Sequence, residues 1–127
     1  MNQPAVVAFG RKLLLVFLGG CIGTGLRHGV GMLGGGYAST LLINALGAFL
    51  LGLFVGWLGR RSGPRADAYR LFIATGALGA FTTYSTYAVA VVARDEPSVR
   101  MWIAALLLLP IGVLLAGLGL RLGQRDG

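Results

Sequence analysis

The sequence predicts an all-α integral membrane protein, a single domain over residues 1–127 with four transmembrane helices, and three observations predict it. Hydrophobic residues make up 56% of the chain and charged residues 12%, about half the charged fraction of an ordinary soluble domain. Glycine occurs 22 times with no collagen-like period, an excess that suits helices whose backbones pack closely in lipid. Four apolar runs recur along the chain, each close to the ~20 residues that a helix needs to cross the hydrocarbon core. None alternates like a barrel strand, and open sheet edges are excluded from lipid.

The first run, residues 13–33, is LLLVFLGGCIGTGLRHGVGML. The N-terminal MNQPAVVAFGRK lacks basic residues ahead of its apolar stretch, so this run reads as a retained helix rather than a cleaved signal. The second, residues 40–58, is TLLINALGAFLLGLFVGWL, joined to the first through Gly34-Gly35-Gly36. The third spans residues 71–93 and contains TGALGAFTTYSTY; Arg60-Arg61-Ser62-Gly63-Pro64-Arg65 opens the link to it. Arg94-Asp95-Glu96-Pro97 leads to the fourth, residues 102–120, WIAALLLLPIGVLLAGLGL. Glycine and proline mark these short links as turns.

Lysine and arginine counts set the orientation. Arg11, Lys12, Arg60, Arg61, Arg65, Arg70, Arg121 and Arg125 put eight cations on one side, against three (Arg27, Arg94, Arg100) on the other. The positive-inside rule places both termini in the cytoplasm of a multi-pass protein of the cell inner (plasma) membrane. The net charge of +7 therefore serves topology, and no nucleic-acid partner is expected. Small residues at i, i+4 spacing (Gly52 and Gly56 after Ala48, Gly19 and Gly23, Gly25 and Gly29) fit either packing within the chain or an oligomer interface. The small volume enclosed by four short helices favours an oligomer for any polar pathway.

Chemistry is sparse and one-sided. One cysteine and one histidine exclude a disulfide within the chain and a nitrogen–sulfur metal centre. No nucleophile–base pair, carboxylate pair or phosphate loop is present, so no enzyme is expected. All four acidic residues (Asp67, Asp95, Glu96, Asp126) lie outside the apolar runs. A proton-coupled exporter of cations needs an intramembrane carboxylate; that absence argues against a small multidrug-type exporter.

The polar groups inside the runs favour an anion or a neutral solute. Arg27 reads either as a snorkelling or packing arginine, or as a positive charge at a pore mouth. Asn44 shares a helix face with Thr40 and Gly47, and reads either as interhelical glue, as in a non-transporting assembly subunit, or as one donor in a track with the third run's hydroxyls. The hydroxyl side chains from Thr82 to Tyr87 each need a partner in hydrocarbon. Tyr84 and Tyr87, three apart, place their rings roughly on one helix face, where positive ring edges can meet an anion. The glycines before them point to a helix broken near its middle, whose freed carbonyls can hold a cation.

GGCIGTGLRH (19–28), STLLINALGAF (39–49) and GALGAFTTYSTY (76–87) resemble, in order and on the same helices, the three signature blocks of the Fluc (CrcB) fluoride channels. The resemblance covers most of the chain, and the third block is its most specific part. It implies an antiparallel dimer with two pores that passively exports cytoplasmic fluoride. It implies roles for Thr40, Asn44, Tyr84, Ser85, Thr86 and Tyr87 along the fluoride pathway and for Arg27 at its vestibule. Gly79 and Thr82 match the helix-break positions whose backbone carbonyls hold a structural sodium ion at the dimer interface. Fluoride is strongly hydrated, so passing it needs close donors to replace water. An inside-negative potential drives it out by about 2.3 kcal/mol per 100 mV.

Two departures from the family pattern stand out. Both aromatic positions are tyrosine where phenylalanine is usual, adding hydroxyls that could donate to fluoride or plug its path. The fourth run carries no serine, threonine or tyrosine where the family supplies hydroxyls to the pore. With the charge bias of eight against three, this leads us to expect one orientation and an oppositely inserted homologous partner, with a homodimer as the alternative.

Overall fold

A computed structural model of the chain describes residues 3–34, 36–93 and 98–125. The link Arg94-Asp95-Glu96-Pro97, Gly35 and Asp126 fall outside these residues. Three long helices dominate: α1 (Gln3–Gly34), α2 (Tyr37–Leu58) and α6 (Val99–Arg125). Each is long and apolar enough to cross a membrane. Between α2 and α6 lie α3 (Pro64–Tyr69), a π-helical stretch π1 (Arg70–Leu78), α4 (Gly79–Phe81) and α5 (Ser85–Val92). The run expected to form the third span is thus shared among π1, α4 and α5, with Thr82, Thr83 and Tyr84 outside any helix.

The helices outrun the apolar segments. α1 starts ten residues before Leu13 and α6 continues to Arg125; the tail of α6 is rich in helix formers (Arg121, Leu122, Gln124, Arg125) able to carry a helix into polar surroundings. Pro110 lies inside α6 without ending it, as membrane helices tolerate. Gly36 and Gly63 have φ of 98° and 105°, values open to glycine and strained for other residues. Gly63 precedes Pro64, which takes the first position of α3, where its missing N–H matters least.

Arg70 closes the turn between α2 and π1. Its guanidinium donates to the Leu58 carbonyl at 3.1 Å, to the Arg61 carbonyl at 3.0 Å and to Asp67 at 3.1 Å. The Leu58 carbonyl also accepts from the Arg61 N–H at 3.0 Å, so the Arg70 bonds add to an existing turn and tie the start of π1 back to the end of α2. Arg61 lies 3.8 Å over the Trp57 ring and donates to the Trp57 carbonyl at 2.9 Å.

Glycine seams decide which helices pair. α2 packs chiefly on α6, and α1 on π1 and α4, while α1 and α2 touch sparsely. A methyl added at Gly52 would strike the Ala116 carbonyl, at Gly119 the Phe49 carbonyl and at Gly123 the Leu53 carbonyl. On the other seam, a methyl at Gly76 would sit 2.7 Å from the Val16 carbonyl, and one at Gly23 would strike Ala77. The Gly52/Gly56 and Gly19/Gly23 stripes are therefore used within the chain. Gly25 and Gly29 meet nothing within 4 Å.

Candidate functional site

The break after α4 is held by one side chain from α2. Asn44 Nδ2 donates to the Thr83 carbonyl at 2.7 Å, and the Thr83 N–H donates to Asn44 Oδ1 at 2.6 Å. The amide thus reads the Thr83 backbone like a neighbouring strand, which explains why a single asparagine in the middle of α2 can fix non-helical backbone at this depth. Thr83 is buried, and its hydroxyl lies 3.0 Å from Thr86 Oγ1 and 3.3 Å from Ser85 Oγ. The same Oγ1 accepts from the Thr86 N–H at 3.3 Å, a bond of the kind that caps a helix start. Tyr84 already has helical dihedrals, so α5 effectively restarts from Thr83.

A cleft of about 530 Å³ opens beside this cluster, between α1, α2 and the α4–α5 junction. It brings together three of the expected residues, Arg27, Thr40 and Thr86, and adds Thr83, Thr24, Ser39 and His28. Asn44 stands behind the Thr83 wall. The only carboxylate among the described residues, Asp67, pairs with Arg70 and lies with Arg11 and Lys12 near the start of α1. Arg27 is some sixteen residues further along the same helix, roughly 24 Å away. Among the described residues, the cleft is thus lined by one arginine, Arg27, and a set of hydroxyl donors.

Sequence reasoning missed Thr83 as a site residue. Its signal was present: a threonine three residues before Thr86, where a helix restarts after a glycine-rich stretch, has cap spacing. The two tyrosines separate. Tyr87 is 0% exposed and Tyr84 is 49% exposed. Three residues advance a helix by about 300°, so positions on roughly one face still differ by ~60°, enough to put one ring in a seam and the other outside it. Tyr87 packs edge-on against Tyr37, centroids 6.5 Å apart, and donates its hydroxyl to the Met101 carbonyl at 2.8 Å. That hydroxyl neither enters the cleft nor blocks it. Ser85 and Tyr84 do not line the cleft either.

Losing the Tyr87 hydroxyl while keeping the ring is expected to cost stability and little else. Tyr87→Phe removes one buried hydrogen bond, about 1 kcal/mol, read as a lowered thermal midpoint of purified protein with ion flux retained.

Gly79 and Thr82, the expected cation positions, flank α4: Gly79 opens it and Thr82 follows its last residue. Thr82 is extended, φ −77° and ψ 150°, and its hydroxyl donates to the Leu78 carbonyl at 3.3 Å and to the Gly79 carbonyl at 3.5 Å. Backbone oxygens released from a helix are the donors a hard cation takes, so the residues present fit a sodium ion.

Known proteins match this chain over nearly its whole length. A family model described as "CrcB-like protein, Camphor Resistance (CrcB)" matches residues 14–123. The chain belongs to the CrcB family. Among relatives, a "Fluoride-specific ion channel FluC" of Hyphomonas neptunium is 37% identical over 120 residues, covering 88% of this chain and 94% of the relative. One of the same name from Thermus thermophilus is 42% identical over 122 residues, covering 88% and 93%. A third, from Methylobacterium nodulans, is 47% identical over 79 residues, covering 58% and 63%. With its apolar helices, this CrcB-family chain is an integral membrane protein. The matched region of the CrcB model contains every residue of the Asn44–Thr83 cluster and of the cleft beside it.

Proposed function

We propose that this protein is a fluoride-specific channel, or one subunit of one, that passively exports cytoplasmic fluoride and relieves its toxicity. Family membership and the names of its relatives support the reading. The observation in the structure that carries it is the convergence of Arg27, Thr40, Thr83 and Thr86 on one cleft that no described carboxylate lines. Arg27 at the mouth gathers the anion. The hydroxyls beyond it replace lost water by direct donation, and the second amide hydrogen of Asn44 is left for the path past the Thr83 wall. This is binding and conduction, with no bond made or broken, so no enzyme is implied.

In this reading π1, α4 and α5 together form a fourth span, broken at residues 82–84, and the two termini lie in the cytoplasm with the eight-cation face. The channel is an antiparallel dimer with two pores. The outward-facing Tyr84 ring would meet the second subunit. So would an apolar groove of about 540 Å³ lined by Leu50, Leu53, Phe54, Trp57, Ile73 and Leu78. Tyr84, rather than Tyr87, is then the ring left to offer its edge to fluoride. Gly79 and Thr82 would hold a structural sodium ion through their carbonyls; bound, it supplies positive charge at the centre of the dimer and no chemistry. The charge bias and the hydroxyl-free α6 favour a homologous partner inserted in the opposite sense, whose fourth helix completes the pore.

Fluoride efflux from proteoliposomes, followed with a fluoride electrode, tests this. Efflux is expected when the chain is reconstituted with an oppositely oriented homologue, and little when it is alone. Full conductance from a dimer of this chain alone would replace the heterodimer by a homodimer. No efflux from assembled protein in either case would overturn the channel reading.

A further inference from the structure

We infer that Asn44 and Thr83 are the positioning residues of the cation site: each takes away a hydrogen bond that would otherwise close one of the two carbonyls expected to face the ion. The inference rests on the proposal that a structural sodium ion sits at the break. In an uninterrupted α-helix the Gly79 carbonyl accepts from the N–H of Thr83, and the Thr82 carbonyl from the N–H of Thr86. Both donors are diverted here, and both onto side chains. The Thr83 N–H goes to Asn44 Oδ1 at 2.6 Å, and the Thr86 N–H goes to Thr83 Oγ1 at 3.3 Å. Among the described residues, Gly79 O keeps only the long contact of the Thr82 hydroxyl, 3.5 Å. Among the same residues, Thr82 O accepts no hydrogen bond.

The coincidence is specific. Two successive diversions release two carbonyls three residues apart, and these are the two that the break offers to a cation. The amide of Asn44 is locked in one sense, because its Nδ2 donates to the Thr83 carbonyl at 2.7 Å while its Oδ1 accepts from the Thr83 N–H. A leucine there could do neither. The Thr83 N–H would then return to its helical acceptor, and the Gly79 carbonyl would close. A valine at Thr83 would in the same way return the Thr86 N–H to Thr82. Gly79 is exposed and Thr82 half-buried in the single chain, and a carbonyl without a donor is costly where hydrocarbon excludes water, so the released pair favours a cation, and oxygen ligands suit a hard one. Asn44 therefore joins two tasks usually given to separate groups: one end of its amide opens the cation site, and its unused hydrogen remains for the anion path.

Sodium-dependent stability reads this without any flux measurement. The assembled full-length protein is heated in NaCl and in matched N-methylglucamine chloride, and the unfolding midpoint is compared. The original protein is expected to lose several degrees when sodium is withdrawn, since a ligand bound only by the folded state raises its stability. Asn44→Leu and Thr83→Val are each expected to unfold at the same temperature in both salts. Ser85→Ala, which removes a hydroxyl whose hydrogen bond among the described residues is to Thr83, is expected to keep the sodium shift. If Asn44→Leu does not assemble, Thr83→Val decides, because it removes one hydroxyl and keeps the volume. A full sodium shift in the variants overturns the inference and leaves the sodium site standing. No shift in the original protein overturns the sodium site and the inference with it, while fluoride efflux, measured separately, still judges the channel.

Discussion

Replacing Gly52 with valine is expected to separate α2 from α6 and leave no folded protein to assay. The first added carbon would already strike the Ala116 carbonyl on the facing helix, and a backbone oxygen cannot rotate away as a flexible side chain does. Gly119 and Gly123 make reciprocal approaches to Phe49 and Leu53 on the same seam, so the helices cannot part at one point without opening the rest. Overpacking typically costs about 1–3 kcal/mol; a rigid backbone clash belongs at or above the top of that range. The measurement is the monodisperse peak on size exclusion in detergent, expected to vanish for Gly52→Val and to persist for Gly25→Ala, whose surroundings are open. An unaltered peak for Gly52→Val would mean that the seam is looser than described.

Asn44→Asp is expected to stop fluoride flux while the protein still assembles. Aspartate has nearly the same shape and keeps an acceptor for the Thr83 N–H, but it cannot donate to the Thr83 carbonyl, 2.7 Å from the present Nδ2. It also puts an anion beside the path of an anion. At an effective dielectric constant of about 20, two like charges about 4 Å apart repel by roughly 4 kcal/mol, close to a thousandfold in flux at about 1.4 kcal/mol per decade. Efflux by fluoride electrode, beside the size-exclusion profile, checks both halves. If flux stays within about tenfold of the original, the anion does not pass near Asn44. If assembly is lost, Asn44 acts as interhelical glue.

The apolar helices were legible because they depend on local composition: hydrocarbon tolerates no unpaired backbone, so long apolar runs without alternation fold as helices. Pairing was not legible. The Gly52/Gly56 stripe has the same spacing whether it meets α6 or a second subunit, since lipid and protein neighbours are equally apolar; only the close approach of Ala116 and Leu120 decides it. Asn44 was identifiable as the important polar group of α2, but its partner is a backbone 39 residues away, beyond any local pattern. Thr83 went unnoticed among equivalent hydroxyls because its distinction is positional. Tyr87 and Tyr84 looked alike on a helical wheel, and the Met101 carbonyl, supplied by another helix, separates them.

The interleaved pairing of α1 with π1 and of α2 with α6 bears on how the molecule is made. In a chain of neighbouring hairpins, each helix finds its partner as soon as it emerges. Here the first helix must wait for the third segment, and the second for the last. During synthesis the glycine face of α2 is exposed to lipid or to other chains until α6 has left the ribosome. The contact that completes the fold therefore joins segments far apart in sequence and forms late, with the loop-closure cost that distant pairing carries. A chain interrupted before α6 would retain the α1–π1 seam and present α2 as an unclaimed sticky surface, a target for quality-control proteolysis.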